Sequence, residues 1–128
     1  MNALLDTHAF LWWVLGDERL SGRAREVIGT STTTVHVSAI TALEIAIKVR
    51  LLKLSQAYVL VHRFEDEVER QGFNAISVTP GHARCAGLLK GAHRDPFDRV
   101  LAAQALIEGL VLVSNDDAID ALGAQRIW

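Results

Sequence analysis

A single cysteine, Cys85, stands among the 128 residues, so no internal disulfide can brace the fold. His82 and His93 lie near it without a fourth ligand at a credible spacing, which argues against a zinc framework, and Cys85 is expected to be a small buried residue. No apolar run approaches the roughly 18 residues of a membrane span. The longest, such as Leu110 to Val113 and the stretch around Ile45, suit the dense core of a soluble protein. The N-terminus lacks the basic region, extended apolar segment and small-residue cleavage site of a secretory signal, which predicts a cytoplasmic protein. A long basic run is also missing and the formal net charge is −2, so contacts to a polyanion must be local and few. No GxGxxG follows the first strand, which sets aside dinucleotide binding. No repeat, linker or low-complexity segment divides the chain, and with 50% hydrophobic residues it can bury a real core, so one domain spanning 1–128 is expected.

What is present alternates between strand and helix. Asn2 to Leu5 is a short apolar run ending at Asp6, and Asp6-Thr7 offers two possible caps for the apolar, aromatic helix Ala9 to Leu15. Ser21 caps a helix over Gly22 to Ile28, and Thr32 to Val37 is β-branched enough for a second strand. Ser38 or Thr41 opens a helix whose apolar residues Ile40, Leu43, Ile47 and Leu51 recur at helical spacing as far as Leu52. A further helix is predicted over Gln56 to Gln71, ending at Gly72, followed by a third strand at Ala75 to Val78 and a helix from Gly81 to Leu89. Asp95-Pro96 marks a helix start, with the proline at its first position, running to Glu108 and Gly109. Leu110 to Val113 suits a central strand, Asp116 to Leu122 a short helix and Gln125 to Trp128 a last strand. The pattern predicts an α/β protein with a parallel sheet between helices.

In such sheets the ligand crevice lies beyond the carboxyl ends of the strands. Asp6 directly follows the first strand and Asp116 comes three residues after Leu110 to Val113, so both are expected at that edge. Glu44 and Asp98 lie in early turns of helices. If the four acids meet, their mutual repulsion raises their pKa values and destabilises the fold unless a cation neutralises them. A carboxylate-only ligand set suits hard Mg²⁺ or Mn²⁺, as one ion or two, and phosphodiester hydrolysis is the natural chemistry of such a centre. With four of the 15 acidic residues committed to metal, the 13 basic side chains outnumber the remaining acids, which permits RNA binding.

The segments Leu4-Leu5-Asp6-Thr7, Ser38 to Lys48 around Glu44, Asp95-Pro96-Phe97-Asp98-Arg99 with Leu101 to Ala105, and Leu112-Val113-Ser114-Asn115-Asp116 occur in that order. Together they resemble the PIN domain, and in particular the VapC toxins of bacterial toxin-antitoxin pairs, across essentially the whole chain. The resemblance implies a three-layer α/β/α fold with a parallel sheet of about five strands. It also implies cleavage of RNA, a homodimer, and inhibition by a cognate VapB-type antitoxin. Matched to the family pattern, Asp6, Glu44, Asp98 and Asp116 fall on its acidic catalytic and metal-binding positions. His8 departs from the small polar residue that many relatives carry there.

Other residues carry two readings each. Asp117 can substitute for Asp116, which can also be a helix cap. Asp95 before Pro96 reads first as a cap, and one turn from Asp98 it can also support the ligands. Thr7, Ser114 and Asn115 either orient carboxylates and bound water or form turns. Arg94 and Arg99 either hold RNA phosphates or pair with the acids. Glu44 and Lys48 form an i, i+4 pair, yet Ile40 and Ile47 on nearly the same face argue against a simply solvated position. Two adjacent tryptophans cannot point the same way on a helix, so Trp12 or Trp13 is expected to reach a dimer or antitoxin surface. Two other function classes compete with the nuclease. A catalytically silent module of the same fold, binding RNA or protein, is disfavoured by the intact acidic set. A phosphatase with Asp6 as nucleophile needs a second acid at position 8, where His8 stands.

Overall fold

The computed structural model describes residues 1–128. Its elements are β1 (Asn2–Leu5), α1 (Thr7–Leu15), α2 (Gly22–Gly29), β2 (Thr34–Ser38), α3 (Ala39–Arg50), α4 (Tyr58–His62), α5 (Phe64–Arg70), β3 (Asn74–Ile76), α6 (Pro80–Leu88), α7 (Pro96–Glu108), β4 (Val111–Val113) and β5 (Arg126–Ile127), with 3-10 turns at Ser55–Ala57 and Asp117–Leu122. The strands form one parallel five-stranded sheet in the order β3-β2-β1-β4-β5. The sequence therefore folds as the expected α/β/α architecture.

β1 lies at the centre, with Leu5 opposite Val37 on one side and Val113 on the other. Side chains alternate across a strand, so β1 feeds both faces of the sheet. Ala3 and Leu5 join the larger core with Phe10 of α1, Ala24 of α2, Leu60 of α4 and Phe64 and Val68 of α5. Leu4 joins Leu101, Ala102 and Ala105 of α7 on the opposite face. This two-sided burial is why the strand reads as an unbroken apolar run.

Local cap chemistry sets most helix starts. Asp6, Ser21, Ser38, Thr79 and Asp95 all accept hydrogen bonds from first-turn N–H groups. Gly16 and Gly109 close α1 and α7 in the left-handed region.

Three predicted elements differ in form. The continuous helix over Gln56 to Gln71 is a 3-10 turn plus α4 and α5, broken at Arg63 (φ −127°, ψ 26°). Leu60, Phe64 and Val68 keep helical spacing through the break, and Phe64 packs its ring 5.5 Å from that of Phe10. Tertiary packing overrides the local preference there. β3 stops at Ile76 because its only partner, β2, ends at Ser38, which pairs with Ile76. The segment from Asp116 forms i to i+3 hydrogen bonds, Ile119 to Asp116 and Gly123 to Asp120, and is a 3-10 turn.

The two tryptophans of α1 find most of their contacts within the chain. Trp12 is buried against Trp128 and beneath the Arg19 guanidinium. Trp13 packs on Phe73 and donates its indole N–H to Gln71. Trp12 is buried and Trp13 partly buried, and Leu15 is the exposed large apolar residue of α1. Cys85 is half-buried rather than buried.

Candidate active site

The carboxyl ends of β1 and β4 meet through the Asp6 amide, which donates to the Val113 carbonyl at 3.0 Å. The chain turns directly from β1 into α1, so the Asp6 carboxylate caps that helix, accepting from Ala9 N–H at 2.8 Å. It is buried, 4% exposed, with no basic side chain paired to it. From the adjoining α3, Glu44 accepts a 2.6 Å hydrogen bond from the Thr7 hydroxyl and pairs with Lys48 at 2.9 Å. Asp98 lies in the first turn of α7, and Asp116 follows β4. These residues line one cleft with His8 and Asp95, and no hydrophobic side chain reaches its wall.

The sequence supplies no strand just before Asp98, and the structure shows how its helix is brought in. The Arg99 guanidinium donates to the carbonyls of Ala86, His93 and Leu89, fastening the preceding loop to α7. Gly91 in that loop has φ +129°, and a Cβ there would come within 2.7 Å of the Ala121 carbonyl. The loop is thus pressed against the turn that follows Asp116. It presents His93, whose Nε2 lies 2.8 Å from Asp98 and 3.7 Å from Asp116.

Burial, more than repulsion, shifts the acids. Burial pushes the Asp6 carboxyl up to about 6 against hydrogen bonds from Ser114 and Ala9, with the charges of Glu44 and Asp116 adding a smaller push. Burial likewise raises Asp98 to about 6, opposed by its hydrogen bond to His93 and assisted by the charges of Asp95 and Asp6. The expectation that mutual repulsion leads is corrected accordingly.

The supporting residues divide. Thr7 and Asp95 line the cleft, and buried Ser114 supports Asp6 while accepting from the Asp116 amide. Asp95 also caps α7 through Phe97 N–H, and Asp116 caps its own turn through Ala118 N–H, so capping and cleft placement coexist. Asn115 and Asp117 are exposed and lie outside the cleft wall. Arg99 is corrected on both of its readings, because its guanidinium is engaged by backbone carbonyls instead of phosphate or acids. Arg94 is exposed and makes no salt bridge. His82 serves α6, receiving the Thr79 N–H and contacting Glu108. Sequence reasoning missed His93 and the placement of His8 in the cleft. His93 lies five residues before Asp98 in sequence, a separation that only the fastened loop turns into contact.

His93, Asp98 and Asp116 each place a ligand atom within 4.8 Å of the others. Buried carboxylates without matching cations are costly, and a divalent cation offsets that cost. The oxygen-rich donor set fits a hard metal ion.

The PIN domain model matches residues 3–125 of this sequence. The chain belongs to the PIN domain family. This PIN domain is 29% identical over 116 residues to ribonuclease VapC22 of Mycobacterium tuberculosis, covering 90% of the chain and 87% of that protein. In structure it is similar to VapBC2 from Rickettsia felis, solved bound to a DNA fragment from their promoter, with a TM-score of 0.70 at 16% identity, covering 100% of this chain and 99% of that one. It is similar to FitAcB from Neisseria gonorrhoeae at a TM-score of 0.70 and 20% identity, covering 100% and 97%. At these identities the structural likenesses speak for the fold.

Proposed function

We propose that this PIN domain is a divalent-metal-dependent endoribonuclease, the toxin of a type II toxin-antitoxin pair. The observation that carries the reading is the convergence of Asp6, Glu44, Asp98 and Asp116 on a cleft with no apolar wall. Similarity to a VapC ribonuclease supports RNA as the substrate class. Asp6, Glu44, Asp98 and Asp116 are the proposed ligands of Mg²⁺ or Mn²⁺. When bound, such an ion activates water and stabilises the charge that develops on a phosphodiester.

The chain's own contributions follow from the geometry. Ala9 N–H and Ser114 hold the Asp6 carboxylate in one orientation, and the Thr7 hydroxyl does the same for Glu44. Fixed ligands lose little freedom when the substrate arrives, the general advantage of a preorganised site. Lys48 keeps a positive charge on the cleft wall, where it offsets Glu44 and faces an incoming phosphate. A cytoplasmic homodimer held inactive by a VapB-type antitoxin completes the proposal, in keeping with the similarity to a VapC ribonuclease.

The test is incubation of purified protein with structured RNA and Mg²⁺ or Mn²⁺, repeated with EDTA and with Asp6→Asn. Internal cleavage by the native protein should disappear in both controls. Cleavage that persists unchanged in Asp6→Asn rejects the assigned centre, and RNA binding without any cleavage favours a silent module.

A further inference from the structure

A second cleft adjoins the acidic one and shares two wall residues with it, His8 and Lys48. Its volume is about 330 Å³, and its wall is completed by Leu11, Trp12, Leu15, Arg19, Lys53, Leu54 and Gln56. The two clefts differ in character. The acidic one gathers carboxylates, while this one has three cationic side chains, an apolar floor and no acid in its wall. Asp17 pairs with Arg19 and Glu44 with Lys48, so the rim keeps only a modest positive field, carried chiefly by Lys53.

The aromatic arrangement is more specific than the charge. The exposed His8 ring stacks on Trp12, with centroids 5.2 Å apart and planes within 14°. Trp12 is itself covered by the Arg19 guanidinium, 5.1 Å from its ring, and braced edge-on by Trp128. His8 is therefore an exposed ring stacked on a buried tryptophan. A flat ring between a phosphate-cleaving centre and a basic rim matches one ligand class, because single-stranded RNA is gripped by base stacking with local phosphate contacts.

We propose that this second cleft is a nucleotide subsite, in which a base flanking the scissile phosphate of single-stranded RNA stacks on His8 while its own phosphate meets Lys53 and Arg19. The subsite rests on the ribonuclease reading and extends it, giving the enzyme a grip on one defined side of the cut. It also assigns a use to His8.

The experiment is a two-by-two cycle of protein and substrate changes. A short labelled RNA with one cleavage site is prepared with single abasic replacements at each position flanking the cut, and kcat/KM is measured in Mn²⁺ for native protein, His8→Ala and His8→Phe. Loss of one stacked base is expected to lower kcat/KM roughly tenfold for native protein at a single position. His8→Ala should lose a similar factor on intact RNA and then be insensitive to that abasic replacement, while His8→Phe restores both activity and sensitivity. Lys53→Ala, at an exposed rim position, should raise KM more than it lowers kcat. If the His8 and abasic losses multiply independently at every position, the subsite is refuted although the ribonuclease reading stands, and the cleft is then free for a protein segment. If native protein cleaves nothing, the same cycle is run on RNA binding by fluorescence anisotropy; coupling there keeps the subsite, and absence of coupling or binding rejects it.

Discussion

Replacing Asp6 with asparagine should make the protein more stable and catalytically dead at once. The carboxylate is buried, lacks a cation partner and has its pKa raised from 3.8 to about 6. A raised carboxyl pKa means that the folded state holds the proton more tightly than the unfolded chain does. The stability this gives is fully present below about pH 4 and is lost as pH rises through about 6. A shift of about two units corresponds to roughly 3 kcal/mol, a ceiling for the cost of the charged side chain at neutral pH without metal. Asparagine keeps an oxygen for the Ala9 N–H cap and carries no charge, so Asp6→Asn should recover most of that cost. The assay is urea unfolding in EDTA at about pH 4.5 and about pH 7.5. The stability difference between variant and native protein should widen by about 2 kcal/mol between the two conditions, because about 1 kcal/mol of the change has already occurred below about pH 4.5, shifting the melting temperature by roughly 3 to 5 °C per kcal/mol. RNA cleavage by the variant should be undetectable. Equal pH slopes for the two proteins, or a variant less stable than native at the higher pH, would refute the assignment of a buried, uncompensated charge to Asp6.

Three further outcomes follow from the same geometry. Mn²⁺ at a hundredfold excess over its dissociation constant should stabilise native protein by about 3 kcal/mol at neutral pH and much less at pH 5, where Asp6 and Asp98 hold protons; differential scanning fluorimetry with and without EDTA reads this. Arg99→Lys keeps the charge but cannot satisfy the carbonyls of Ala86, Leu89 and His93 together, so it should cost about 2 to 4 kcal/mol in chemical denaturation and reduce cleavage as the His93 loop loosens. Gly91→Ala meets both a positive φ and the Ala121 carbonyl, and should cost about 2 to 3 kcal/mol, with the loss of nuclease activity exceeding what Arg94→Ala produces.

How far the sequence can be read depends on the range of the interaction concerned. Caps at Asp6, Ser21, Ser38 and Asp95 are decided within three residues and are visible before any fold is known. The break at Arg63 is invisible because the apolar spacing of Leu60, Phe64 and Val68 runs straight through it. The end of β3 is set by the length of a strand almost 40 residues earlier, as the pairing of Ser38 with Ile76 shows. Asp98 and Arg99 illustrate the same limit in the site. Adjacent in sequence, they invite one shared role, yet successive residues on a helix point about 100° apart. Asp98 faces the cleft while Arg99 turns back to the loop. Helical geometry alone separates them, but the carbonyls that receive Arg99 become evident only in the folded chain. His93 is illegible for a related reason, since its contact with Asp98 and Asp116 depends on a loop held from both sides.

The acids are tolerated in a folded protein because the topology that gathers them also supplies donors for them. In a parallel sheet, the helices that follow β1 and the turn that follows β4 begin at the edge where those strands end. Asp6, Asp95 and Asp116 each accept N–H groups at a helix or turn start, and the positive end of the α1 and α7 dipoles faces the cleft. These donors reduce the cost of negative charge without abolishing it, since Asp6 and Asp98 still hold their protons to about 6. A cluster fully satisfied by the protein would have little affinity left for a cation, whereas one with no support would disorder the strand ends. Under the proposed metal-dependent function, partial compensation leaves a folded site whose remaining electrostatic cost a bound divalent ion would offset.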